Sequence, residues 1–291
     1  MTRKVQLNHA SWEVECLPED GARISSLKYK GYELLTTKPV NFIPPKKDYG
    51  EYETRLVYGY DDCFPTVAAC RYPNENIRCR DHGQLCWQSW NVETEVGKLI
   101  CSTRLTELSL DFERVLVFTE DKICWQFEVK NRSGKPIAFL HVMHPLMRLD
   151  EVDRVDVPAF EYVVDEKNQS VPGCRDSQEL NDLLRGIVPG SYSMLLFKGM
   201  KGDKTSITFK NQMSLEVGFE HKLFPTFGIW WNNSGYPDEE GIRRNECAFE
   251  PIPGFSSNLE ESYYKGTYLT VDAAGTFQWE IDWRMNQEGK T

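Results

Sequence analysis

Residues 123–131 read I-C-W-Q-F-E-V-K-N. Ile123, Trp125, Phe127 and Val129 fall on one side of an extended chain, and Gln126, Glu128 and Lys130 on the other. A period of two with one apolar side is the pattern of an antiparallel strand whose second face is wet. Residues 99–108, 110–119 and 136–144 carry strand patterns on either side of it. T-E-D-K at 119–122 and R-S-G-K at 132–135 supply turns between them. The four segments read as a meander.

Outward from the meander, short strand patterns recur at 5–7, 12–16, 22–29 and 32–35, then at 193–198, 206–210, 214–219, 226–231, 264–271 and 277–283. In the last, Phe277, Trp279, Ile281 and Trp283 alternate with polar residues. One helix is expected, over 177–185, with Asp176 or Ser177 as its cap and Gly186 after its last turn. Many short strands with almost no helix imply an all-β fold, a large antiparallel β-sandwich with a broad concave face. No repeat, low-complexity tract or linker divides the chain, so 1–291 is expected to be a single domain.

The 291 residues include 40% hydrophobic and 12% aromatic residues, enough for a sizeable core. A formal net charge of −10 argues against nucleic acid or an anionic membrane surface as partner. No stretch has the apolar length of a membrane span. The start, M-T-R-K-V-Q-L-N-H, lacks the apolar region of a signal peptide, so a cytoplasmic location is expected. Nine cysteines, an odd number, fit reduced thiols in that compartment. Cys63, Cys70, Cys79 and Cys86 cluster, but no pair has C-x-x-C spacing, so no metal and no cofactor are expected. The oligomeric expectation is a monomer or homodimer.

Two stretches place an ionisable side chain next to a proline at the end of a strand pattern. Residues 245–254 read N-E-C-A-F-E-P-I-P-G, where the alternation is expected to stop at Glu250 because Pro251 cannot donate to a ladder. A carboxylate with a rigid root and an open side suits a general base. Residues 136–147 read P-I-A-F-L-H-V-M-H-P-L-M, where His144 precedes Pro145. His141, three residues earlier, points to the opposite face and would not share a substrate with it. Taken singly, such residues are more often an exposed acid and a satisfied core histidine.

Residues 55–86 form a long irregular stretch rich in aromatic residues, which points to function rather than disorder. It leads into R-C-R-D-H-G-Q-L-C-W-Q-S-W at 78–90. Arg78, Arg80, Asp81 and His82 with neighbouring tryptophans are what a sugar site needs: polar groups for hydroxyls and rings for C–H faces. F-G-I-W-W-N-N at 227–233, with Trp230, Trp231 and Asn232, offers the same mixture.

In order, C-F-P-T-V at 63–67, D-H-G-Q-L-C-W at 81–87, H-P-L-M at 144–147, I-W-W-N at 229–232 and F-E-P at 249–251 resemble the aldose 1-epimerase (galactose mutarotase-like) family. Met143-His144-Pro145-Leu146-Met147 departs from the Asn-His pattern of galactose mutarotases proper, so the resemblance is to a divergent branch. It implies interconversion of the α and β anomers of a hexose or modified hexose, an isomerase activity in carbohydrate metabolism. Glu250 would take the proton of the anomeric hydroxyl and His144 would protonate the ring oxygen. His82 would hold a hydroxyl, and Arg78 or Arg80 would bind the sugar. A non-catalytic sugar-binding or sugar-sensing protein on the same fold is the alternative.

Overall fold

The structure is a computed structural model and describes residues 3–165, 171 and 173–287. Its largest sheet has eight strands in the order Val152–Asp156, Lys204–Phe209, Met213–Gly218, Thr276–Gln287, Lys122–Asn131, Leu110–Phe118, Lys98–Leu105 and Asn91–Glu95. All neighbours are antiparallel. The alternation read in the sequence sets the two faces. Trp125 stands opposite Ile281 and Phe127 opposite Trp279, all buried. The rings of Trp125 and Trp283 lie 5.1 Å apart, and Phe127 stacks on Trp279 at 5.5 Å. On the wet face, Gln126 donates to Glu280 at 2.8 Å and Gln278 to Glu128 at 2.6 Å.

A second sheet runs Met147–Arg148, Asn245–Ile252, Thr226–Asn233, Ser191–Lys198, Tyr162–Asp165. A third runs Val5–His9, Trp12–Leu17, Arg23–Tyr29, Tyr60–Cys63, Val142–Pro145, with Tyr32–Glu33 beside Arg23–Tyr29. The architecture is an antiparallel β-sandwich.

Three local expectations need correction. The strand over 136–144 is broken into Ile137–Phe139 and Val142–Pro145, which belong to different sheets. The break turns His141 into the core. There Trp279 Nε1 donates to its Nδ1 at 3.2 Å, and its Nε2 meets Asp62 Oδ1 at 3.0 Å. Residues 264–271 are not one strand: a second helix, Leu259–Lys265, precedes the short strand Leu269–Val271. Asn258 caps that helix and Gly266, at positive φ, closes it. The strand carrying Glu250 runs on through Pro251 to Ile252. Beyond Cys247 its ladder neighbour on one side ends, because Val142–Pro145 pairs with Tyr60–Cys63 instead. A proline is tolerated where no N–H is required.

Candidate active site

The irregular stretch of residues 55–86 contains the strand Tyr60–Cys63, whose alternation splits two adjacent carboxylates. Asp62 faces the core, where it meets Arg114 and His141. Asp61 faces the other way. Its Oδ2 lies 2.9 Å from Arg23 Nη1, both side chains fully buried, and accepts the Tyr52 hydroxyl at 2.6 Å. The Tyr52 ring stacks on His82, centroids 3.9 Å apart and 14° from parallel. Its hydroxyl oxygen lies 3.5 Å from His144 Nδ1.

His82 and Gly83 both have positive φ, 59° and 72°. A Cβ on Gly83 would lie 2.1 Å from the carbonyl oxygen of Phe64, so only glycine lets the loop close on that strand. The closure fixes His82, whose N–H donates to the Val67 carbonyl at 2.6 Å. Asp81 Oδ1 sits 2.9 Å from His82 Nδ1, and Asp81 Oδ2 accepts the Tyr52 N–H at 3.2 Å.

His144 stands opposite Asp61 in the ladder, and Glu250 opposite Gly228. A Cβ on Gly228 would come within 3.3 Å of Glu250 Oε2, so the glycine leaves room for the carboxylate. His144 Nε2 and Glu250 Oε1 are 3.9 Å apart, with the side chains 11% and 5% exposed. Burial, then the neighbouring His82, Arg244 and Arg23, push the His144 imidazole well below its ordinary pKa, so it is neutral at pH 7. The hydroxyl proton of Tyr52 is committed to Asp61, so its oxygen can only accept from Nδ1. That favours the tautomer with Nδ1 protonated and the Nε2 lone pair turned to Glu250.

These groups open onto a cavity of about 270 Å³. Its wall is aromatic: Trp230 and Tyr236 meet edge to face at 5.7 Å, and Tyr192 lies 5.4 Å from each. Asp81, His82, His144, Trp230 and Glu250 all line it. Arg78 and Arg80 do not. The short ribbon Cys70–Arg71/Arg78–Cys79 carries Arg78 outward, 76% exposed, and both arginines lie 3.6 Å from Glu51, with Arg80 over the Trp87 ring. The guanidinium in the cavity wall is that of Arg244, which the sequence reading missed. Glu53 holds it through two bonds of 2.7 Å and Glu246 through one of 2.9 Å.

Trp231 alternates with Trp230 and packs into the main core. Asn232 is buried and serves the turn behind the wall: it accepts from the Gly235 and Tyr236 N–H groups, each at 2.9 Å, and donates to the Tyr236 carbonyl at 2.6 Å. It positions Tyr236 rather than facing the cavity. Glu246 carried a usable signal, because it lies four residues before Glu250 on the same strand face. Tyr52, Glu53 and Asp61 carried none: the turn Glu51–Thr54 brings in the first two, and the pairing of Tyr60–Cys63 with Val142–Pro145 brings in Asp61.

No family model matches the chain, and no curated protein matches it. Solved structures do. The Slr1438 protein of Synechocystis sp. PCC 6803 superposes with a TM-score of 0.74 at 13% identity, covering 99% of this chain and 97% of that one. A candidate aldose 1-epimerase of Escherichia coli K12 gives 0.71 at 14% identity, covering 99% and 100%. A galactose mutarotase-like protein of Lactobacillus casei ATCC 334 gives 0.70 at 16% identity, covering 98% and 100%. At these identities the likeness establishes the fold. Among the described residues no helix is long and apolar enough to cross a membrane.

Proposed function

We propose that this protein is an aldose 1-epimerase acting on an uncharged hexose. The observation that carries the reading is the 3.9 Å approach of His144 Nε2 to Glu250 Oε1 at an aromatic-walled cavity. A pair facing each other across a whole sugar ring would have been the simpler expectation. The chemistry asks for less separation, because the ring oxygen and the anomeric hydroxyl are both bonded to C1. An acid and a base that serve them must converge on neighbouring atoms.

Glu250 takes the proton of the C1 hydroxyl while His144 delivers one to the ring oxygen. The C1–ring-oxygen bond breaks and C1 becomes an aldehyde carbon. Rotation about C1–C2 presents its other face, and closure with the same two groups in reversed roles gives the other anomer. Beyond the Nδ1–H that faces Tyr52, the pair shares one proton: it sits on His144 Nε2 at the start of ring opening, in the imidazolium form that burial makes the minor one at pH 7. Trp230, Tyr236 and Tyr192 cover the C–H face of the sugar, while His82, Asp81 and Arg244 meet hydroxyls.

Among the described residues, Glu53, Asp81, Glu246 and Glu250 line the cavity against the single guanidinium of Arg244, which Glu53 and Glu246 already engage. That balance opposes a sugar phosphate and favours a neutral sugar. The test is polarimetry on single-anomer aldoses. Wild type should accelerate mutarotation of at least one. Glu250→Gln and His144→Asn should each slow it by roughly 10²-fold or more, with sugar binding retained. Wild-type rates in both variants refute the assignment. A protein that binds a sugar without accelerating its mutarotation is the sugar-binding alternative.

A further inference from the structure

The ladder that holds His144 also holds a thiol beside it. Cys63 pairs with Val142, two residues before His144, so Cys63 and His144 are diagonal neighbours on one face of the antiparallel pair. Cys63 Sγ, one nitrogen of His82 and one of His144 all lie within 4.8 Å of one another. The cysteine clustering in the sequence did not show this, since Cys70, Cys79 and Cys86 take no part.

The geometry points to a binding site for a zinc-type divalent transition metal, made by Cys63, His82 and His144 and incompatible with sugar turnover while occupied. Both imidazoles are oriented for it. Asp81 takes Nδ1–H of His82 at 2.9 Å, the carboxylate–histidine arrangement that orients a metal ligand. The Tyr52 oxygen stands at Nδ1 of His144. In each ring Nε2 is left with its lone pair. Tetrahedral zinc with Zn–N and Zn–S bonds of about 2.0–2.3 Å needs donor atoms roughly 3.4–3.6 Å apart, so the three need close by only about an ångström. The three donors leave the fourth tetrahedral position to a water or an exogenous ligand. Two imidazoles and a thiolate suit zinc or cobalt better than magnesium or calcium. On binding, the Cys63 S–H proton leaves to solvent and the sulfur pair goes to the metal; nothing is oxidised. The inhibition half of this inference rests on the proposed epimerase activity; the binding half does not.

The experiment uses the full chain, reduced and stripped with a chelator, then titrated with Co²⁺ and followed by absorption. One Co²⁺ per chain is expected, with a thiolate-to-cobalt charge-transfer band that Zn²⁺ abolishes by displacement. Cys63→Ser should remove the band, and Asp81→Asn should weaken binding by roughly 10–100-fold. Zn²⁺ should stop wild-type mutarotation, a chelator should restore it, and Cys63→Ser should keep its basal rate while needing about tenfold more zinc. Circular dichroism shows whether Cys63→Ser is folded; if it is not, His82→Gln takes its place, with the same loss of affinity expected. A band that persists in Cys63→Ser places the thiolate elsewhere and overturns the site, as does the absence of saturable binding. Metal binding that leaves mutarotation untouched overturns the competition. Metal binding in a wild-type protein that accelerates no sugar keeps the site and removes the epimerase reading instead.

Discussion

Tyr52→Phe separates what the Tyr52 hydroxyl does from what its ring does. The ring stacks on His82 at 3.9 Å and would stay. The hydroxyl donates to Asp61 at 2.6 Å, a bond to a buried carboxylate that also meets Arg23 at 2.9 Å. A hydrogen bond to a charged group contributes about 1.5–3 kcal/mol, and Asp61 keeps its guanidinium, so a loss of about 2 kcal/mol is expected. For a protein of this size that lowers the melting temperature by roughly 3–4 °C. The same oxygen stands 3.5 Å from His144 Nδ1 and biases its tautomer. Without it Nδ1–H loses its acceptor, and Nε2 is no longer fixed as the nitrogen that carries the transferred proton. A fall in kcat of about tenfold is expected, equivalent to about 1.4 kcal/mol, with KM changed much less because the sugar-facing groups are intact. Thermal melting and polarimetric kinetics on the same preparation measure both. Unchanged melting temperature and kcat would refute the reasoning. A lowered melting temperature with wild-type kcat would leave the hydroxyl as a partner of the Asp61 ion pair alone.

Arg244→Met should be costly to the fold, about 3–5 kcal/mol by denaturant titration, because it leaves Glu53 and Glu246 buried without their cation. Gly83→Ala should destabilise as well, since its Cβ would meet the Phe64 carbonyl and displace His82; a melting curve matching wild type would contradict that. Burial holds His141 and His144 below the ordinary imidazole value, so the unfolded chain binds more protons than the folded one below about pH 6.5. Stability from this source is full above that pH and is lost as pH falls through it, so the melting temperature should drop between pH 7.5 and 5.5, with a shallower slope in His144→Asn. The same depression places the alkaline limb of kcat/KM, where His144 gives up its donor proton, below the ordinary imidazole value; a limb at or above pH 6.5 would show that His144 is not the donor in the free enzyme.

The sequence by itself determined the sandwich and pointed to several of the residues that line the candidate cavity. Alternation in 123–131 and 277–283 depends only on which side chains must leave water, and a period of two survives any arrangement of the strands. The ordered short motifs around His82, His144 and Glu250 were legible because each lies within a few residues of a proline, glycine or tryptophan that restricts its backbone or its packing. Tertiary structure decided what depends on contacts between distant residues. Arg78 and Arg80 looked like sugar ligands from their neighbours in the chain, yet their ribbon projects outward. Arg244 reaches the cavity because Glu53, 191 residues away, draws it there. Likewise, Trp230 and Trp231 could not be told apart until the sheet fixed which face looked into the cavity. The pairing of Tyr60–Cys63 with Val142–Pro145, which sets Asp61 and Cys63 beside His144, joins segments some 80 residues apart. Local periodicity carries no record of such a pairing, because its register is settled only when both faces find their neighbours.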